Sequence, residues 1–330
     1  MKNVLFATTA LAGFAFAGAA FADGHTGVSL SGNAELGVTY RDDGTTDTTV
    51  FHNDIDVTFT LSGETDNGLS FGASIDLDES GDGDGVEFEN SVFISGDFGT
   101  LSMGDIDGAY DQALANVASG GLSDEADLAS GTSGLDGVAP EIARYDYSFS
   151  AFTISASLAL EDQAPLNDEA GGSSSAELTD NVYGVGIAYS GDLAGFSLGV
   201  GVGYQYTETD GAVLGSGDHT AIGASAVIGF SDFSLTLVYE NLDRPTGFAA
   251  AGAQDGDTYG VSLEYSFGAI GVAGAYEYSE LTGGVEQDTF QGFVTYDLTG
   301  GAELVAAVGY QEDDAGGEVT TAGFGLGLSF

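Results

Sequence analysis

A transmembrane antiparallel β-barrel of about sixteen strands is the fold this sequence predicts, on three observations. The first is strict alternation of bulky apolar with small or polar residues over runs of about ten positions, repeated along the chain. Phe196, Leu198, Val200, Val202, Tyr204 and Tyr206, for instance, interleave with Ser197, Gly199, Gly201, Gly203, Gln205 and Thr207. The second is that no run of about 18 apolar residues follows the N-terminal leader, so a chain at home in lipid must satisfy its backbone as a closed barrel. The third is the final strand. Phe324, Leu326, Leu328 and Phe330 share one face, and Gly325, Gly327 and Ser329 share the other. The greasy face suits lipid and the bare face suits a water-filled lumen.

Composition agrees with this reading. Fifty-four glycines against three prolines suit strands whose inward side chains must be small, not helices. The chain carries 52 acidic residues and only four basic ones, a formal net charge of −48. That balance excludes nucleic-acid binding through a basic surface. It does not imply disorder, because 43% of residues are hydrophobic and aromatics are plentiful. With no cysteine, neither a disulfide framework nor a thiolate metal site is available.

Taken in order, the first unit is residues 1–22. Lys2 supplies a positive start, Val4 to Ala17 an apolar stretch, and Ala20-Phe21-Ala22 a small-x-small site. This is the pattern of a secretory signal peptide cut before Asp23, which leaves 23–330 as the barrel. Alternation then predicts strands near 27–41, 50–63, 69–78, 86–96, 99–104, 141–149, 151–161 and 180–190. Eight more follow near 196–208, 218–230, 233–242, 257–267, 269–280, 288–298, 302–312 and 319–330. Short connections such as Thr65-Asp66-Asn67-Gly68, Ser231-Asp232 and Thr299-Gly300-Gly301 carry the Gly and Asx residues of tight hairpins. They alternate with long acidic ones, as expected for two unlike barrel rims. Tyr40, Tyr206, Tyr239, Tyr278 and Tyr310 fall at the loop ends of outward series, and Tyr189, Phe196, Phe230 and Phe267 at the turn ends. They predict two aromatic girdles at the headgroup levels. A barrel of this size leaves an aqueous channel.

The longest connection, 105–140, contains Asp105, Asp107, Asp111, Asp124, Glu125, Asp127 and Asp136 and no basic residue. It is an exposed acidic loop, or a loop folded inward against the wall of a wide lumen. By parity, Asp54 and Asp56 of the second strand and Glu87 and Glu89 of the fourth point inward. So do Arg41, near the outer end of the first strand, and Arg144 and Asp146 of the sixth. Asp78, Asp82 and Asp84 could offer oxygens to Ca²⁺, though the spacing is not an EF-hand and a solvated acidic loop is the simpler reading. Catalytic signatures are lacking: no HExxH or GxSxG spacing occurs, and Asp218 and His219, adjacent on a strand, face opposite sides.

Several segments resemble the general diffusion porins of Gram-negative outer membranes, usually trimers of sixteen-stranded barrels. They are Ser62-Gly63-Glu64-Thr65, Gly96-Asp97-Phe98-Gly99-Thr100-Leu101-Ser102-Met103-Gly104 before the long loop, and Arg144-Tyr145-Asp146-Tyr147 after it. The last strand, ending in Phe330, looks like the insertion signal of outer-membrane barrels. The resemblance spans essentially the whole mature chain. It implies an outer-membrane location, a homotrimer, a constricting role for the acidic loop 105–140, and passive diffusion of small hydrophilic solutes and ions with no cofactor. Where the family usually places basic wall residues near the constriction, Asp105 follows Gly104, and Arg144 remains as the main wall cation. A cation preference is therefore expected. The alternatives are a barrel hydrolase, which would gather Ser, His and Asp near the outer rim, and an adhesin or structural barrel, which would fill its lumen with bulky apolar residues.

Overall fold

The computed structural model describes residues 26–80, 87–122, 128–129, 134–135, 141–160, 181–211, 215–243 and 254–330. Its strands in chain order begin with β1 (Thr26–Asp42), β2 (Asp47–Glu64), β3 (Ser70–Ser80), β4 (Glu87–Gly96) and β5 (Gly99–Gly104). One helical turn, α1 (Ala109–Ala113), precedes β6 (Ile142–Phe149), β7 (Phe152–Ala159), β8 (Val182–Leu193), β9 (Phe196–Gly211) and β10 (Gly215–Phe230). The last six are β11 (Phe233–Asp243), β12 (Gln254–Phe267), β13 (Ile270–Leu281), β14 (Val285–Asp297), β15 (Ala302–Asp313) and β16 (Glu318–Ser329).

Each strand pairs antiparallel with its sequence neighbours, and β1 pairs with β16 to close the barrel. Closure runs from Asn33 opposite Ser329 to Asp42 opposite Thr320, and the Phe330 N–H donates to the Gly32 carbonyl at 2.9 Å. With no free edge, every strand satisfies its ladder in lipid. The strands match the sequence expectation to within a few residues. The largest difference is at 209–217: β9 and β10 stay paired up to Gly211 opposite Gly215, where the sequence predicts a loop. Backbone pairing there continues beyond the apolar alternation that marks the membrane.

Parity holds throughout. On β1 Val28, Leu30, Leu36 and Val38 are exposed, and on β8 Tyr183, Val185 and Ile187 alternate with buried Val182, Gly184, Gly186 and Ala188. Aromatic contacts fall into two arcs on the outer face. Phe149–Phe152, Phe152–Tyr189, Phe196–Phe230 and Phe233–Tyr265 lie at the turn end, and Tyr239–Tyr259–Tyr278 at the loop end. The loop-end arc is rich in tyrosine for a visible reason: its phenols donate to carboxylates above them. Tyr276 reaches Asp288 at 2.6 Å, Tyr310 reaches Glu312 at 2.8 Å and Tyr239 reaches Asp257 at 3.0 Å.

The buried apolar clusters lie inside the barrel, between the third long loop and the wall. Tyr110, Leu114 and Leu135 of the loop pack with Ile142, Ala159, Val182, Ala221 and Leu242. Ala118 packs with Ala273, Phe293 and Ala307, and Val117 with Val238 and Ala275.

Candidate channel constriction

The third loop leaves β5 at Gly104, whose φ of +139° lies outside the range L side chains usually adopt. Arg144 of β6 holds the start of the loop: its Nη1 donates to the Asp107 carbonyl and its Nε to Asp146 at 2.9 Å. Beyond this tether the loop turns inward along the lumen wall, which supplies a series of polar anchors. The Ala109 N–H donates to Ser157 Oγ at 2.9 Å, Ala115 N–H to Ser225 at 2.8 Å and Ala118 N–H to Ser262 at 2.9 Å. Gln291 accepts from the Leu128 and Ala129 N–H groups and donates to the Ala118 carbonyl at 3.0 Å. Buried loop backbone is thus paired by side chains of β7, β10, β12 and β14.

Lumen-facing glycines make room for the loop. A Cβ on Gly203 would stand 2.7 Å from the Tyr110 ring, and one on Gly201 would run into the Ala113 carbonyl group. Further along, Gly37 of β1 and Gly325 of β16 face the Leu122 side chain. The bare face of these strands therefore meets the loop here, not water.

The opposite wall is different in kind. On β1 to β4 the inward series carries six carboxylates, buried Asp54 and the more open Glu35, Asp56, Asp76, Asp78 and Glu89. Asp54, Asp56 and Asp78 bring carboxylate oxygens within 4.8 Å of one another. Asp76 accepts from Thr58 Oγ1 at 3.1 Å, and His52 Nε2 lies 3.3 Å from Glu35 Oε2. Toward the turn rim, Ser190 of β8 and Ser197 of β9 are exposed again. The described part of the loop thus lies inside the barrel along the wall that bears its anchors, and the carboxylates of β2 to β4 stand on another part of the wall.

Comparison with known proteins agrees with this architecture. Residues 7–316 match the family model described as Gram-negative porin. The chain belongs to the Gram-negative porins. A porin of Rhodobacter capsulatus is 29% identical over 299 residues, covering 85% of this chain and 93% of that one. A porin structure refined at 1.8 Å resolution superposes with a TM-score of 0.68 at 26% identity, covering 92% of this chain and all of the other. A mutant of the Rhodobacter blastica porin shares the fold with a TM-score of 0.61 at 22% identity. These proteins are channels, not enzymes, and the hydrolase alternative falls with that. In this porin Asp218 faces outward and accepts from Tyr206, while His219 faces inward and is fully buried, so the two form no catalytic pair.

The structure places the residues singled out in the sequence in different surroundings. Asp105 and Asp107 are exposed at the start of the loop, and Asp111 is half-buried in α1. Asp124, Glu125, Asp127 and Asp136, like Asp82 and Asp84, lie outside the described residues, as does the Glu87 side chain. Asp78 is described, and it joins Asp54 and Asp56 across the ladder. Arg144 departs from its expected part as a wall cation. It is 3% exposed, and its charge is taken up by Asp146 and the loop backbone, so it tethers the loop. Arg41 is exposed near the loop end of β1. Sequence reading passed over the anchors on the loop-bearing wall: Ser157, Gln205, Ser225, Glu240, Ser262 and Gln291. The signal they left was long polar side chains, at 205, 240 and 291, in lumen-facing series.

Proposed function

We propose that this porin is an outer-membrane channel for passive diffusion of small hydrophilic solutes and ions, and that it prefers cations. One observation carries the preference: the inward face of β1 to β4 carries Glu35, Asp54, Asp56, Asp76, Asp78 and Glu89, while Arg144 is buried in a pair with Asp146. Carboxylates along a narrow aqueous path raise the local cation concentration and repel anions. The test is the sign of the zero-current potential across a tenfold KCl gradient at low ionic strength. An anion-selective sign overturns the preference and leaves the channel itself standing.

Two further parts of the reading concern maturation and assembly. Cleavage before Asp23 fits the leader pattern, and N-terminal sequencing of membrane-extracted protein should start at Asp23; a retained Met1 excludes it. A homotrimer fits the small outward residues Gly32, Ala34, Ala302 and Ala306, which let subunits approach closely. Native mass determination in detergent would read three chains per particle, and a single chain excludes it.

A further inference from the structure

We propose that Glu240 sets the width of the channel by tying both legs of the third loop to one point on the wall. This rests on the reading of the loop as the constriction. Glu240 stands on the lumen face of β11 and is fully buried. Its Oε2 atom accepts two hydrogen bonds. One comes from the phenol of Tyr110 in the outgoing leg, at 2.6 Å, and the other from the Gly134 N–H in the returning leg, at 3.0 Å. Next to it, Gln205 Oε1 on β9 accepts from the Leu135 N–H at 2.6 Å. Gly134 has a φ of +54°, and a Cβ there would sit 2.6 Å from Gln205 Oε1 and 2.8 Å from Cδ1 of Tyr110. The crossing has no room for a side chain at 134.

Tyr110 and Gly134, the two ends of an excursion of the loop, are therefore gathered on a single carboxylate oxygen. Loops with joined ends behave as compact units, and their position follows the anchor. Ser157, Ser225 and Ser262 hold one stretch of the loop each and Gln291 joins 118 to 128–129, whereas Glu240 joins the more widely separated Tyr110 and Gly134. Losing it frees the base of the excursion, and the loop's reach into the lumen is no longer set by the wall.

Both bonds end on one oxygen, so a glutamine carbonyl oxygen in that place accepts both. Glu240→Gln should keep wild-type conductance. Glu240→Ala should raise mean single-channel conductance about 1.5-fold or more, with larger open-channel noise, because conductance follows the aqueous cross-section. Tyr110→Phe, which removes only the phenol oxygen, should move conductance in the same direction by less. Replacement of 111–133 by a short Gly-Ser linker is the reference for an unconstricted barrel. If that replacement raises conductance and Glu240→Ala does not, Glu240 has no positioning role. Equal increases from Glu240→Gln and Glu240→Ala also overturn the proposal, since charge and not hydrogen bonding would then matter. No increase from the replacement overturns the constriction reading itself. Heat-modifiable gel mobility checks that each barrel has closed; should Glu240→Ala fail it, Tyr110→Phe decides between the same outcomes.

Discussion

Val200 and Gly201 are neighbours on β9, and the same substitution should do different damage at each. Val200 is 38% exposed on the outer face. An arginine there meets lipid, and near the midplane its cost is about 2–4 kcal/mol. Gly201 faces inward, and alternation alone predicts that charge is tolerated there. The structure changes that expectation, because a Cβ at 201 comes within 2.8 Å of the Ala113 carbonyl carbon. Gly201→Arg should unseat the loop, whereas Ser31→Arg, on the open and exposed lumen face of β1, should be tolerated. Urea titrations after refolding into lipid vesicles should show the large loss for Val200→Arg. Limited proteolysis within 105–140 should increase for Gly201→Arg alone; equal protection in all three variants would refute the seating of the loop. Bareness of the lumen face was legible in the sequence, but what fills the space was not, since a missing side chain looks the same before water and before another backbone. Arg144 carries the same lesson. Its inward direction was legible, but its partner, the carbonyl of Asp107, has no signature in sequence. Arg144→Met should destabilise the barrel by about 3 kcal/mol, since it leaves the Asp146 carboxylate with its charge partner gone. Asp146→Asn should recover part of that loss in the double mutant.

Strands were the most legible elements because two faces with different solvents impose a period of two at every position. Tight turns were legible through composition, with one exception in kind. Ser150 and Ser231 open two-residue hairpins at φ +55°, where glycine would meet no Cβ penalty. Ser231→Gly should therefore stabilise the hairpin of β10 and β11 by up to about 1 kcal/mol, less the extra freedom glycine brings to the unfolded chain. A lowered refolding midpoint would contradict this. The connection between β1 and β2 is held by electrostatics. Asp43 accepts from the Thr46 N–H at 2.8 Å and the Thr45 N–H at 2.9 Å, and these bonds, Thr46 first, hold its carboxyl below the usual aspartate value. A lowered folded-state value means the bonds contribute above the ordinary carboxylate range, about pH 4, and fade as pH falls through the lowered value. The amide resonances of Thr45 and Thr46 should titrate together below pH ~4; a transition above that value would remove the proposed cause.

At the scale of the molecule the two halves of the lumen wall divide the work. The arc from β7 to β14 carries glycines, serines and the long acceptors that seat the loop, and on the proposed reading the arc from β1 to β4 carries the carboxylates that select ions. The surplus of acid was plain in the sequence, but which lumen carboxylates are buried, as Glu240 is, and which stay partly open needed the loop to be located first. Selectivity should therefore depend on a few positions rather than on the net charge of −48. Asp54, Asp56 and Asp78 are the test group, because their oxygens lie within 4.8 Å of one another and so act as one concentrated site. Changing all three to asparagine keeps their shape while removing their charge. It should move the zero-current potential strongly toward the non-selective value. Outward Asp218, Asp257 and Asp288, changed to asparagine as a matched set, remove the same number of acidic groups from the far side of the wall and should move it little. Salt provides the second axis. The screening length falls from about 10 Å at 0.1 M to about 3 Å at 1 M, so the gap between wild type and the inner triple variant should close as both reservoirs are raised toward molar KCl. Equal effects from the inner and outer sets would mean that the whole surface field, and not the acidic arc, selects the ions.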